Sequence, residues 1–114
     1  MRVTPLGRLR RRPATAPGTK GADVTVLARS PTVHVVHIAF EPGGIVGRHP
    51  AAIDQVFVVV SGRGWVSGRD GGRHPVAAGT AVVWEQGEEH ESGTADGMEA
   101  VIVEAVGLAP AVER

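Results

Sequence analysis

The sequence predicts an all-β domain, a sandwich or barrel of short strands, on three observations. Runs rich in Val, Ile and Thr follow one another from Ala22 onward, each closed by turn residues. No window combines apolar residues at helical spacing with helix caps. The turns carry what tight reversals require: Asp70-Gly71 is a hairpin signal because a primed turn needs positive φ, and Pro42-Gly43-Gly44 and Glu85-Gln86-Gly87 mark further reversals.

The expected strands follow in order. Residues 23–28 hold Val24, Thr25 and Val26. Residues 32–41 place Val33, Val35 and Ala39 on one side and Val36, Ile38 and Phe40 on the other, so both faces are apolar. After the Pro-Gly-Gly turn, 45–49 opens on Ile45-Val46. The next run, 55–61, is again apolar on both faces through 56–60. Residues 64–67 carry Trp65 and Val66 into the Asp70-Gly71 reversal, and 73–77 return from it. Residues 80–84 hold Val82, Val83 and Trp84, 90–92 form a short strand, and 99–105 hold Val101, Ile102 and Val103. Strands buried on both faces in so small a domain need a cover on the outer face, and a second copy of the chain supplies one; a homodimer is expected.

At 114 residues the chain has room for one modest core. With no cysteine, disulfides, thiolate metal sites and thiol nucleophiles are excluded. No apolar run reaches membrane-spanning length and the N-terminus lacks a signal-like apolar stretch, so the expectation is a cytoplasmic protein with no membrane partner. Charge divides the chain. Residues 1–20 hold Arg2, Arg8, Arg10, Arg11, Arg12 and Lys20 with no acid, and all twelve acids lie beyond them. Three of the eight prolines also fall there, so 1–20 reads as a loose or edge-lying basic arm, 21–108 as the barrel and 109–114 as a tail. No aromatics interleave with these arginines, which argues against a nucleic-acid platform. The arm reads instead as solvated, or folded against an acidic surface.

Two stretches carry the chemistry. The first reads Gly43, five residues, His49, then Gln55 six further on and Gly62 seven after that; the second reads Gly79, seven residues, Gly87, two residues, His90. Together they resemble the paired signature of the cupin superfamily, in particular its small single-domain bacterial members. The resemblance covers residues 42–94 and implies a cupin-type double-stranded β-helix, a jelly-roll-like barrel. Glu85 and Thr94 stand where the family usually has Pro and Asn. In the first motif the family has His, a second His two residues on, and Glu; these places hold His49, Ala51 and Gln55.

The resemblance implies His49, Gln55 and His90 as metal ligands, holding one divalent ion (Fe, Mn, Zn or Ni) in a degenerate motif. Gln55 offers a neutral amide oxygen in place of a carboxylate, and Ala51 offers nothing. Four further residues are pocket candidates. His34 and His37 have opposite parity, so one of them faces inward; Glu88 reaches in if its loop bends that way; Trp84 is a candidate wall. His37 or Glu88 would then serve as general base. Because this barrel hosts many chemistries, the fold alone selects none. Two functions stay open. One is a polar pocket for a small molecule, with a divalent metal and enzymatic activity on an oxygen-rich or carbohydrate-like substrate. The other is a metal-free, non-catalytic binding or interaction module in which His49, Gln55 and His90 hydrogen-bond the ligand, or are simply a buried polar cluster.

Overall fold

The structure, a computed structural model, describes residues 1–109, 111 and 113. The expected tail, 109–114, therefore lies partly outside the described residues. A 3-10 turn at Leu6–Arg8 precedes eight strands: β1 (Arg11–Pro13), β2 (Lys20–Arg29), β3 (Val33–Pro50), β4 (Gln55–Ser67), β5 (Arg73–Ala77), β6 (Ala81–Trp84), β7 (Glu89–Gly93) and β8 (Met98–Ala105). Among the described residues there is no α-helix, and no helix is long and apolar enough to cross a membrane.

Two long strands close the barrel. The first part of β3 pairs with β8, and β8 pairs with the first part of β4. The second part of β4 then pairs with β7, which returns to the second part of β3. The circuit β3–β8–β4–β7–β3 is antiparallel throughout and leaves no free edge within it. β2 extends it beyond β3 and carries β1 on its outer edge, while β5 and β6 pair with β4.

The sequence suggested two strands where β3 runs and two where β4 runs. Each is continuous because a glycine bends it without breaking the ladder. Gly43 (φ 79°) lies between the β8-paired part of β3, ending at Phe40↔Met98, and the β7-paired part, starting at Ile45↔Gly93. Gly62 (φ 73°) does the same for β4, between Gly62↔Met98 and Trp65↔Gly93. A side chain at Gly62 would collide with the Gly97 carbonyl oxygen, so this corner needs glycine for space as well as for φ.

The barrel interior is filled by Ile38, Phe40, Phe57, Val59, Trp84 and Met98, among others. Phe57 stands edge-on to Trp84, with ring centroids 5.4 Å apart, and to Phe40 at 6.5 Å. Leu27, Val33, Val60 and Val83 remain exposed in the single chain.

The segment read as a basic arm divides in two. Residues 1–8 and Arg10 are exposed, but 11–20 join the barrel: β1 pairs with β2, and β2 already begins at Lys20.

Candidate functional site

His49 and His90 face each other across the β3–β7 ladder as a register pair. Their ring centroids are 4.3 Å apart, with planes inclined by 50°. Both imidazoles are held the same way. Nδ1–H of His49 donates to the Gly47 carbonyl at 2.7 Å, and Nδ1–H of His90 donates to the Glu88 carbonyl at 3.0 Å. A carbonyl only accepts, so in each neutral ring the proton sits on Nδ1 and the lone pair on Nε2. Neither Nε2 has a hydrogen-bond partner among the described residues, and neither is among the buried unpartnered atoms, so both open onto the cavity that the two rings line. Burial, the largest influence, pushes the His90 pKa below its ordinary value; the Glu88 carbonyl partly opposes this, and nearby His49 adds to it.

Gln55 opens β4 and is buried. Register places it beside Trp84 of β6 on one side and Glu104 of β8 on the other. Glu104 in turn pairs with His34 of β3, and His34 with Arg29 of β2. One row thus crosses five strands, Arg29–His34–Glu104–Gln55–Trp84, and all five side chains line the same cavity. Trp84 also lies against His90, with ring centroids 4.4 Å apart and planes at 33°. The cavity measures about 690 Å³, within the range of small-molecule sites, and Val24, Val36, Ile38, Phe57 and Ile102 make much of its wall apolar.

The expected residues are therefore sorted by the fold. His49, Gln55, His90, His34 and Trp84 converge on the cavity. His37 does not: adjacent to the inward-facing Val36 and Ile38, it takes the outer face, where its Nε2 meets Glu99 Oε1 at 3.0 Å, while Ser61 donates to Glu99 Oε2 at 2.7 Å. Glu88 does not either. Its carboxylate accepts from the backbone N–H groups of Arg69 (3.2 Å) and Glu85 (3.1 Å), tying two turns together. Both are corrected as pocket residues, and with them the general-base role. Ala51 is buried with its backbone bonded to Glu88 and Gly87; β3 ends at Pro50, so strand parity does not carry from His49 across the loop to Gln55.

Sequence reasoning missed Glu104, Arg29 and the segment 12–17, all of which line the cavity. A signal for Glu104 was present: it shares the parity of Ala100 and Ile102, an acid in an inward-facing series. None was present for Arg29, whose direction depends on a bulge.

Among the described residues, no three His, Cys, Asp or Glu side chains gather into a metal-holding group. The available donors at the paired rings are two imidazole nitrogens and the Gln55 amide. Nitrogen and amide-oxygen donors are types a divalent ion accepts, but all three are neutral, and nothing among them offsets its charge.

The Cupin domain family matches residues 36–106. No curated protein matches the sequence. Among solved structures, the fold is similar to a predicted oxalate decarboxylase from Thermotoga maritima, with a TM-score of 0.80, 18% identity, and coverage of 92% of this chain and 99% of that one. It is also similar to the polyketide cyclase RemF from Streptomyces resistomycificus (TM-score 0.82, 18% identity, 96% and 82% covered). KdgF from Halomonas sp. is a third (TM-score 0.69, 21% identity, 75% and 80% covered). At these identities the likeness is one of fold.

Proposed function

Because this chain belongs to the cupin family, we propose that it binds a small molecule in its barrel, with His49, His90 and Gln55 receiving the oxygen-bearing end of an otherwise apolar ligand. One observation carries this reading: two imidazole lone pairs, their tautomers set by backbone carbonyls, open side by side and unpartnered onto a largely apolar cavity. Two acceptors held this close repel each other unless an electron-pair acceptor sits between them, either a cation or a donated O–H. A wall rich in Val and Ile suits a ring or branched hydrocarbon body better than a carbohydrate. The names of the similar structures, a decarboxylase and a polyketide cyclase, accord with small-molecule work but do not select a reaction.

His49 Nε2, His90 Nε2 and the Gln55 amide oxygen would hold one divalent ion, Fe, Mn, Zn or Ni. Such an ion acts as a Lewis acid toward a ligand oxygen. The protein's own part is to keep both rings oriented through their backbone-bonded Nδ1 atoms, exclude water with Phe57 and Trp84, and present His34 and Glu104 beside Gln55 as the groups able to exchange a proton with the ligand. A second reading is favoured by Ala51 and Gln55, which remove one imidazole and one carboxylate from the family's set. There, ligand hydroxyls donate directly to the two Nε2 atoms and no ion takes part.

Metal analysis of untagged protein, grown with and without added Fe, Mn, Zn and Ni, separates the two. Near-stoichiometric metal that His49→Ala abolishes supports the first. Metal below a few per cent after supplementation sinks it in favour of the second. A homodimer joined through the outer sheet face completes the proposal.

A further inference from the structure

We propose that Arg12 and Arg29 form an anion subsite at the mouth of the cavity, so that the ligand is an organic acid: an apolar ring body, an oxygen-bearing inner end at His49 and His90, and a carboxylate at the mouth. This rests on the ligand-binding reading above and specifies the ligand's other end.

Both arginines are brought to the cavity by particular backbone features. β1 pairs with β2 through Arg11↔Thr25, Arg12↔Val24 and Pro13↔Asp23. Val24 lines the cavity, so its neighbour Arg12 faces the same way, whereas Arg11 turns outward and meets Asp23 at 4.0 Å. The strand is held by Ala14 N–H donating to the Ala22 carbonyl at 2.9 Å. Further on, Gly47 N–H donates to Thr19 Oγ1 at 3.0 Å. The second half of the basic arm, residues 12–17, thereby becomes a cavity wall.

Arg29 gets there by a bulge. Val24 and Val26 face inward, and unbroken alternation would send Arg29 outward with Leu27. The register shift between Val26 and Ala28 inserts one residue, so that Arg29 pairs with the inward-facing His34. Re-aiming a side chain in this way is a known use of bulges near sites.

Neither guanidinium has an ion-pair or hydrogen-bond partner among the described residues, whereas Arg11, Arg48 and Arg63 do. The groups facing them are His34, beside Arg29 in register, and Glu104, one strand beyond His34. Two fixed positive charges against one carboxylate leave the mouth net positive. A carboxylate is the planar partner that guanidinium forks bind bidentately. Glu104 repels it toward the β1–β2 side.

The test is calorimetric titration of the 114-residue chain with 4-hydroxybenzoate, 6-hydroxy-2-naphthoate and 4'-hydroxybiphenyl-4-carboxylate, whose phenol O–H supplies the inner oxygen, each beside its primary carboxamide. The ring series covers a range of body sizes, and the amide keeps shape while removing charge. The best-fitting acid should bind about tenfold or more tighter than its amide, as a charge-assisted hydrogen bond predicts. Arg12→Gln and Arg29→Gln should each reduce that preference and together abolish it; Glu104→Gln should preserve or increase it. Both arginines are exposed, so the variants should keep the wild-type thermal midpoint. Equal binding of acid and amide overturns the anion subsite and leaves the pocket reading standing. An acid preference indifferent to both arginine variants overturns the assignment to these residues. No binding of any of the six compounds overturns the pocket reading with it.

Discussion

Burial keeps His90 neutral where a solvent-exposed imidazole would begin to protonate, and this has a definite acid-side consequence. In the unfolded chain the ring titrates near its ordinary value of 6.5; in the folded chain it titrates lower. Between those values the unfolded state holds more protons, so stability is full above the unfolded value and is lost as pH falls through the folded one. Glu99 behaves differently. The Ser61 hydroxyl and, to a lesser degree, His37 hold its carboxyl below the ordinary 4.5, so its contribution is present above that value and fades only as pH falls further. Urea midpoints measured from pH 8 to pH 5 should therefore fall toward the acid end, and His90→Gln should flatten that fall. An unchanged slope in the variant would remove the case for a neutral buried His90. At this scale the resemblance carried by the motif spacing singled out His49, Gln55 and His90, which line the cavity. It could not choose between His34 and His37, since alternation says only that they face opposite ways; pairing of β3 with β2 and β8 makes His34 the inward one.

At the scale of elements, the short strands and Gly turns were legible, while their continuity was not. A glycine between two β-rich runs marks either a reversal or a bend, and the local sequence is the same for both. At Gly71 the chain reverses; at Gly43 and Gly62 it bends and keeps its ladder, because partners on β8 and β7 await it on each side. The N-terminal arm is the other case. Its first ten residues bury almost nothing, whereas Ala14 and Ala16 pack against the core and β1 adds three strand pairs. Removing residues 1–10 should leave the thermal midpoint unchanged. Removing 1–18 should cost about 1 kcal/mol, about 4–8 °C for a domain of this size. Calorimetry of the two truncations reads this directly, and an equal midpoint for both would show that β1 stabilises nothing.

For the whole molecule, the closed circuit of β3, β8, β4 and β7 explains how 114 residues enclose a cavity and still have a core. It also leaves an apolar exterior. The row Ala28–Val35–Val103–Val56–Val83 crosses five strands on the outer face, with Leu27 and Val83 exposed in the single chain. A second copy laid on this face would bury it, and light scattering should then give twice the chain mass of 11.8 kDa. Val83→Lys, placing a charge at the exposed end of the row, should shift the mass toward the monomer without moving the thermal midpoint by more than that dissociation explains. A monomeric wild type would end the dimer reading.

That outer row lies one residue away, strand by strand, from the row that lines the cavity: Ala28 beside Arg29, Val35 beside His34, Val103 beside Glu104, Val56 beside Gln55, Val83 beside Trp84. Composition and turn residues determined an all-β barrel, because Gly and Pro act on local φ, and the resemblance carried by the motif spacing singled out two histidines and a glutamine that the fold places on the cavity wall. Which of the two rows faces inward is not local. It depends on the register of five strands and on the bulge before Ala28, and a one-residue slip would turn the polar row to solvent and the valines to the cavity. The tertiary pairing alone decided that His34, Glu104 and Arg29 belong to the pocket and that His37 does not.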